Sequence, residues 1–190
     1  MTLTTQNSVT IQGLTKKITQ ALERIREQYN IHGTGMYVGH SGGKDSCVIT
    51  HLVHQIFPAV HVIHNSKLEP GKTHTLTLYF LYELSTKFPI MFLGQERMGD
   101  YLKKNGLTCQ VDGTRRDECG RTLKSDDVII KGQSVNRADM PGYVEEGIFG
   151  QSALYPIFDW TEDEVFAYIN LKGIPISKEY DEEIATRAKA

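Results

Sequence analysis

The chain has 190 residues, of which 39% are hydrophobic and 23% charged, and its formal net charge at pH 7 is -2. This length fits one globular domain with a sizeable core, and the nearly balanced charge carries no footprint of a nucleic-acid partner. No apolar run approaches the length of a membrane span, and the polar N-terminus lacks the pattern of a signal peptide, so we expect no membrane partner.

Helical and strand-like patterns alternate along the first part of the chain. Apolar residues at three- and four-residue spacing indicate helices, and short runs of apolar, often β-branched residues indicate buried strands. The predicted helices cover residues 14–29, 47–57, 74–88 and 100–104. The predicted strands cover residues 36–40, 59–64, 90–94 and 107–111. This alternation predicts a single α/β domain with a central, mostly parallel sheet and helices on both faces.

The regular pattern fades over residues 121–155, which are rich in Gly, Asp and Ser. We predict an irregular excursion across the carboxyl edge of the sheet, where functional residues tend to lie. Order is predicted to return at residue 155, and a further helix begins with a capping box of Thr161 and Glu164 and ends at Gly173. The apolar side of this helix is predicted to consist of Val165, Ile169 and Leu171.

The SGGKDS segment at residues 41–46 lies between a predicted strand and a predicted helix. A Walker A loop is excluded, because Val38 replaces its first glycine and Asp45 replaces its magnesium-binding hydroxyl. The two glycines let the backbone approach an anion, and the start of the helix offers free N–H groups. A plain glycine turn with a helix cap would leave Lys44 unexplained, so we favour a phosphate-binding loop in which this lysine is exposed. Asp45 either caps the helix or holds a metal ion that bridges phosphates.

This segment resembles the PP-loop of the adenine-nucleotide alpha hydrolases, whose signature is SGGxDS. Most members of that superfamily cleave ATP between the α and β phosphates, and one branch binds adenylyl sulfates and reduces them. The resemblance implies a Rossmann-like fold and a nucleotide at the carboxyl edge of the sheet. The residues expected to contact the nucleotide are Gly39, Ser41, Gly42, Gly43, Lys44, Asp45, Ser46 and His64.

A second segment, DGTRRDECGRT at residues 112–122, looks like part of the phosphoadenylyl sulfate (PAPS) reductase and ATP sulfurylase small-subunit family. Guanidinium groups bind phosphate or sulfate in two-pronged geometry, and neighbouring carboxylates can orient them or take part in metal binding. Charge runs are usually solvated, but this one follows a predicted strand at the edge that carries the loop. The residues expected to bind substrate are Arg115, Arg116, Asp117, Glu118 and Arg121.

A third segment, residues 155–183, is similar to the Trp-Thr region of the same family and is expected to be mostly architectural, with Trp160 packing a helix onto the sheet. The resemblance as a whole implies one PP-loop domain over residues 1–190. Its predicted parts are an N-terminal helix in 1–33, a nucleotide-binding core in 34–120, an active-site excursion in 121–155 and a C-terminal helical segment in 156–190.

Cysteine usage sets expectations about cofactors. Cys47, Cys109 and Cys119 form no CxxC pair and are too few to hold an iron–sulfur cluster, and no zinc site is suggested, so a reducing cytoplasm is the expected location. Thioredoxin-linked reductases of this branch carry a C-terminal Glu-Cys-Gly-Leu-His motif, whereas no cysteine follows Cys119 here. Thiol-dependent reduction is therefore disfavoured. The family's Asp-Thr-Gly after the second strand is also replaced, by His-Asn-Ser at residues 64–66.

Two groups of side chains have packing as their favoured explanation. One predicted helix carries possible metal ligands on a single face, namely Cys47, His51 and His54. Another carries aromatic residues that could stack on a base but are expected to pack within the protein, namely Tyr79, Phe80 and Tyr82.

The expected chemistry is attack by a small acceptor's oxyanion on the α phosphorus of ATP, with release of pyrophosphate. Lys44 would hold the leaving phosphates, and Arg115 and Arg116 would stabilise the acceptor or the developing charge. Mg²⁺ is expected, with Asp45 as its candidate ligand. Two alternatives remain: a non-catalytic binder of ATP or PAPS, and a subunit of an ATP sulfurylase-like assembly or homo-oligomer.

Overall fold

This computed structural model describes residues 9–65, 75–93, 98–118, 127–130, 133–136, 143–144, 151–181 and 186. These residues contain eight strands and five α-helices. The helices are α1 (Ile11–His32), α2 (Lys44–Ile56), α3 (Thr75–Ser85), α4 (Met98–Lys104) and α5 (Glu162–Lys172). The strands are β1 (Met36–Gly39), β2 (His61–Asn65), β3 (Ile90–Leu93), β4 (Cys109–Val111), β5 (Asp127–Ile130), β6 (Gln133–Asn136), β7 (Tyr143–Val144) and β8 (Ser152–Leu154).

The central sheet has the order β3-β2-β1-β4-β8-β7. The first five of these strands pair in parallel, and β7 joins the edge antiparallel to β8. Strands β5 and β6 form a separate antiparallel pair. The order reverses direction at β1, so the carboxyl ends of β1 and β4 flank a topological switch point, where open α/β sheets bind ligands. The predicted α/β fold with a mostly parallel sheet is confirmed.

Helices cover both faces of this sheet, as predicted. On one face α1, α2, α3 and α5 share a core with Met36 and Val38 of β1. On the other face Leu102 of α4 packs with Tyr37 and Ile63. Within the parts of the chain that the structure describes, no helix combines the length and the apolar character needed to cross a bilayer.

The helix boundaries differ from the predicted ones for local reasons. Helix α1 begins earlier than expected because Thr10 caps it, with its side chain accepting a hydrogen bond from the Gly13 N–H at 3.1 Å. Helix α2 begins at Lys44 and not at Cys47. The last three residues of the SGGKDS segment therefore form the first turn of a helix, and only its first part is a loop.

The predicted irregular excursion over residues 121–155 is partly wrong. It contains four short strands, and β8 completes the parallel sheet with all three of its residues buried. Order thus returns before residue 155. A strand of three residues is too short to show an alternating pattern, which is why the sequence did not reveal it.

The packing predicted for Trp160 and the apolar side of α5 is largely confirmed. Trp160, Val165 and Ile169 are buried in the main core, and the predicted capping box of α5 is present. Leu171, however, is exposed, so its assignment to the apolar side of α5 is wrong. Leu171 comes two positions after Ile169, which at 3.6 residues per turn places it on the opposite side of the helix from Val165 and Ile169.

Gly42 determines how closely the loop after β1 lies against α3. Its φ is +96°, and a Cβ added there would lie 2.2 Å from Cγ2 of Thr77. Both the backbone conformation and the space require glycine at this position.

Gly42→Ala is expected to lower the free energy of unfolding by about 2 kcal/mol or more, because it adds backbone strain and a steric overlap. Gly99→Ala is the matched control, since a Cβ at Gly99 of α4 would have no heavy atom within 4 Å. This control should leave stability unchanged or raise it by up to about 1 kcal/mol through helix propensity. Urea unfolding measures both changes, and equal stabilities of the two variants would contradict the assigned packing.

Candidate functional site

The loop after β1 satisfies most of its own amides. Four consecutive N–H groups donate to side chains of the protein: Ser41 to Ser46 Oγ (3.2 Å), Gly42 to His40 Nδ1 (3.0 Å), Gly43 to Ser41 Oγ (3.2 Å) and Lys44 to the Tyr180 hydroxyl (3.4 Å). The next two amides, of Asp45 and Ser46, meet no acceptor among the described residues. These two donors at the N-terminus of α2 are available to an anion.

Asp45 does not cap α2, so that alternative is wrong. Gly43 occupies the N-cap position and, being a glycine, has no side chain to accept a hydrogen bond from the helix amides. Instead, the Asp45 carboxylate contacts two cations, with Oδ1 accepting a hydrogen bond from Nε of Arg115 at 2.7 Å and Oδ2 lying 3.4 Å from Nζ of Lys44. The carboxylate thus neutralises positive charge directly beside the loop.

Lys44 is buried, which contradicts the expectation of an exposed loop lysine. Its ammonium lies 3.2 Å from Oε1 of Glu162 and over the rings of Phe166 and Tyr180, at 5.7 Å and 5.3 Å from their centroids. Burial lowers the pKa of Lys44, but the carboxylates of Asp45 and Glu162 outweigh burial, and the net shift of the pKa is upward. Lys44 is therefore a fixed positive charge at physiological pH.

Arg115 is buried in the same cluster. Besides Asp45, it contacts Asp117 through Nη1 at 2.9 Å and Glu162 through Nη2 at 3.9 Å. Its position depends on Gly113, because a Cβ there would lie 2.9 Å from the carbonyl carbon of Asp45. The glycine lets the segment after β4 approach the first turn of α2, so the two predicted motifs do meet in space.

The other predicted residues of the arginine segment lie apart from this cluster or outside the described residues. Arg116 is exposed, and its guanidinium stacks over the ring of Phe158 at 4.8 Å from the centroid. Nothing is described of Arg121 or of the side chain of Glu118. Of the three predicted catalytic residues, the structure therefore brings Lys44 and Arg115 together and leaves Arg116 at the surface.

His64 lies at the carboxyl end of β2, as predicted, but is buried. Its Nδ1 is 2.8 Å from the carbonyl oxygen of His40, so Nδ1 carries a proton and donates it to that oxygen. In His40, by contrast, Nδ1 carries no proton, because it accepts a hydrogen bond from the Gly42 N–H. Burial, and secondarily the nearby His64, lowers the pKa of His40 to about 3, which keeps that ring neutral. Neither Nε2 has a partner among the described residues.

Gly39, the last residue of β1, lies against the side chain of Gln110. A Cβ at Gly39 would be 2.6 Å from the Gln110 Nε2 atom. That nitrogen donates to Oδ2 of Asp112 at 3.0 Å, and Oδ1 of Asp112 accepts the Thr114 N–H at 2.8 Å. These contacts fix the turn that carries Gly113 and Arg115.

The carboxylates of this cluster do not fit a direct site for Mg²⁺ as they stand. Both oxygens of Asp45 contact cations, and no group of three His, Cys, Asp or Glu residues within the described ranges could hold a metal ion. Magnesium is usually held by one or two carboxylates together with substrate phosphates. Asp45 is therefore engaged by Lys44 and Arg115 and is not free to bind a metal ion directly.

The packing interpretation of the cysteine and histidine face of α2 is confirmed. His51 Nδ1 lies 3.0 Å from the Tyr168 hydroxyl, and both ring nitrogens of His54 lie within hydrogen-bonding distance of backbone carbonyls. Cys47 is buried beneath them. The packing interpretation of the aromatic residues of α3 holds for the buried Phe80 and in part for Tyr82, whose exposed ring stacks on Phe92 at 4.9 Å between centroids, whereas Tyr79 is exposed.

The described cysteines are poor nucleophiles. Cys47 and Cys109 are both buried, and burial raises the pKa of both thiols, that of Cys109 to about 12. A thiol with such a pKa is protonated at neutral pH, and the thiolate is the reactive form. Cys119 lies outside the described residues.

Sequence reasoning missed two residues of the site, Glu162 and Tyr180. Glu162 lies beside the capping box of α5, where an acidic residue is explained by the helix alone. Tyr180, in a short 3-10 helix (Lys178–Tyr180), is separated from Lys44 by 136 positions in the chain. The sequence feature that could have indicated Glu162 is the acidic first turn of α5, which directly follows the Trp-Thr pair of the family-like segment.

The chain is similar to proteins that act on adenylyl sulfates. A family model described as the phosphoadenosine phosphosulfate reductase domain matches residues 91–186. An adenosine 5'-phosphosulfate reductase of Shouchella clausii is 22% identical over 179 residues, which cover 85% of this chain and 72% of that protein. The reductase of the same name from Neisseria meningitidis is 28% identical over 132 residues. The match with it covers 60% of this chain and about half, 54%, of the relative.

Solved structures share the fold at low identity. The phosphate complex of PAPS reductase from Candida auris has a TM-score of 0.61 at 13% identity, with 93% of each chain covered. Candida glabrata FMN adenylyltransferase in complex with ATP has a TM-score of 0.63 at 16% identity, over 94% of this chain and 62% of that one. At such identities the likeness shows a common architecture and no more.

The two arginines should differ sharply in what they contribute to stability. Arg115→Ala is expected to lower the free energy of unfolding by about 3 kcal/mol, because the largely buried Asp45 carboxylate loses its nearer cation and keeps only Lys44. Arg116→Ala, the matched control, should cost at most about 1 kcal/mol, the contribution of an exposed cation–π contact. Urea unfolding at neutral pH measures both. Similar losses at the two positions would contradict the buried ion-pair cluster.

Proposed function

The chain belongs to the phosphoadenosine phosphosulfate reductase domain family, and from that premise we propose that it binds ATP or a related adenylyl nucleotide. The phosphate or sulfate end of the ligand would lie at the start of α2. The observation that carries this proposal is the convergence of the two available amides of Asp45 and Ser46 with the buried cations Lys44 and Arg115. Backbone donors at a helix N-terminus and fixed cations are the features that bind phosphate.

The reaction that we propose is adenylyl transfer from ATP. An acceptor oxygen attacks the α phosphorus, the bond from that phosphorus to the bridging oxygen breaks, and pyrophosphate leaves with the bonding electrons. The negative charge that builds up on the leaving group would be stabilised by Lys44 and by the amides of α2. Arg115 would act on the acceptor side, and Arg116 could do so only if its exposed side chain turned from Phe158 towards the ligand. An adenylyltransferase whose ATP complex is known shares this architecture, so the fold is compatible with such a reaction.

A second candidate is the reduction of an adenylyl sulfate, which the names of both curated relatives favour. Those names conflict with the prediction from the sequence that thiol-dependent reduction is disfavoured. This reaction needs a reactive thiolate, and the two described cysteines are buried with raised pKa values. Reduction would therefore depend on a thiol other than these two, and Cys119 is one candidate.

One pair of assays separates these candidates. Purified protein with ATP, Mg²⁺ and a panel of small oxyanion acceptors is expected to release AMP or adenylylated acceptor together with pyrophosphate. A variant with serine in place of Cys47, Cys109 and Cys119 should keep this activity, since no step of adenylyl transfer uses a thiol.

The parallel assay supplies adenosine 5'-phosphosulfate with dithiothreitol and measures sulfite. Sulfite formation that is lost on Cys119→Ser, without pyrophosphate release from ATP, would establish the second candidate and contradict the first. Nucleotide binding without turnover in either assay would indicate a binding protein or a subunit that requires a partner.

A further inference from the structure

Glu162 contacts both buried cations of the site. Its Oε1 lies 3.2 Å from Nζ of Lys44 and 3.9 Å from Nη2 of Arg115. The Glu162 side chain is 42% exposed, whereas those of Lys44 and Arg115 are only 9% and 3% exposed. Asp117 is equally exposed but contacts only Arg115, so among the described carboxylates Glu162 is the one that is accessible and contacts both cations.

The position of this carboxylate is one that favours any anion. Glu162 is the first residue of α5, where the helix dipole adds to the attraction of the two cations. Its contacts with them are longer than the 2.7–2.9 Å or so of strong charge-assisted hydrogen bonds. A free oxyanion at the same place would meet the same cations.

Asp45 differs from Glu162 in how firmly it is held. Its side chain is 15% exposed, and its contact with Arg115 Nε is 2.7 Å. The backbone of Asp45 is packed against Gly113 and belongs to the first turn of α2. Of these two carboxylates, Glu162 is the one that a ligand can displace without moving the loop.

We propose that Glu162 is a specificity-determining residue that competes with the ligand's oxyanions for Lys44 and Arg115. In the absence of a ligand its carboxylate neutralises the two cations. A ligand binds tightly only if it carries enough negative charge to replace that carboxylate, so nucleotides with several phosphate or sulfate groups are favoured over neutral nucleosides. This inference rests on the proposed nucleotide-binding function and names the feature of the ligand that the site selects.

Glu162→Gln tests the proposal, because it keeps the shape of the side chain and removes its charge. The variant should bind ATP and inorganic pyrophosphate more tightly than the wild type, by at least about threefold. Threefold is the change in affinity expected when one unit of negative charge is removed from a position roughly 6 Å from a charge of the ligand in a medium with the dielectric constant of water. Affinity for adenosine should not change, because a neutral ligand does not compete for the cations.

Asp163→Asn is the matched control, since Asp163 is an exposed carboxylate in the same first turn of α5. It changes the net charge equally, and it should alter the affinities for ATP and pyrophosphate less than Glu162→Gln does. Calorimetric titrations at one ionic strength give the affinities. Thermal unfolding of each variant shows whether it is folded at the temperature of the titration.

The outcomes separate this inference from the proposed function. If wild type and Glu162→Gln bind ATP equally, or if the variant binds more weakly, the competitor role is overturned while nucleotide binding stands. An equal gain for adenosine and ATP would also overturn it, because the effect would not depend on the ligand's charge. If neither folded protein binds ATP or pyrophosphate, the proposed function fails and this inference fails with it.

Discussion

The ion pair between Arg115 and Asp45 joins two segments that lie 70 positions apart in the chain. A guanidinium and a carboxylate withdrawn from water must remain paired, because an isolated buried charge is far more costly than a satisfied one. The segment after β4 is therefore held against the first turn of α2. Gly113 leaves room for this close approach, and the hydrogen bond from Gln110 to Asp112 holds the segment in place. The geometry of the candidate site follows from this one constraint.

The consequence for function is a site that is charged but internally neutralised. Lys44 and Arg115 face carboxylates, and most loop amides donate to side chains of the protein. An anionic ligand would bind the two available amides of α2 and replace the Glu162 carboxylate beside the cations. Such preorganisation suits a family whose relatives act on charged adenylyl sulfates, because fixed dipoles and cations need little rearrangement when new charge arrives.

Much of the fold was predictable, and the site only in part. The alternation of helices and strands, the capping box of α5 and the loop after β1 are encoded in short stretches, so local patterns revealed them. The burial of Lys44 is not local, since Phe166 and Tyr180 reach it from the far end of the chain. For the same reason the sequence could place Arg115 at the correct edge but could not show that its partners are Asp45 and Glu162. Strand β8 was missed because three residues carry no periodicity.

The most direct measurement is the response of backbone amide resonances to a phosphate ligand. If the start of α2 binds the ligand's phosphates, titration of the isotope-labelled protein with pyrophosphate should shift the amide signals of Asp45 and Ser46 saturably and downfield. The signals of α4, on the opposite face of the sheet, should stay in place and serve as the internal reference. Saturable shifts that leave Asp45 and Ser46 unaffected would contradict phosphate binding at this loop.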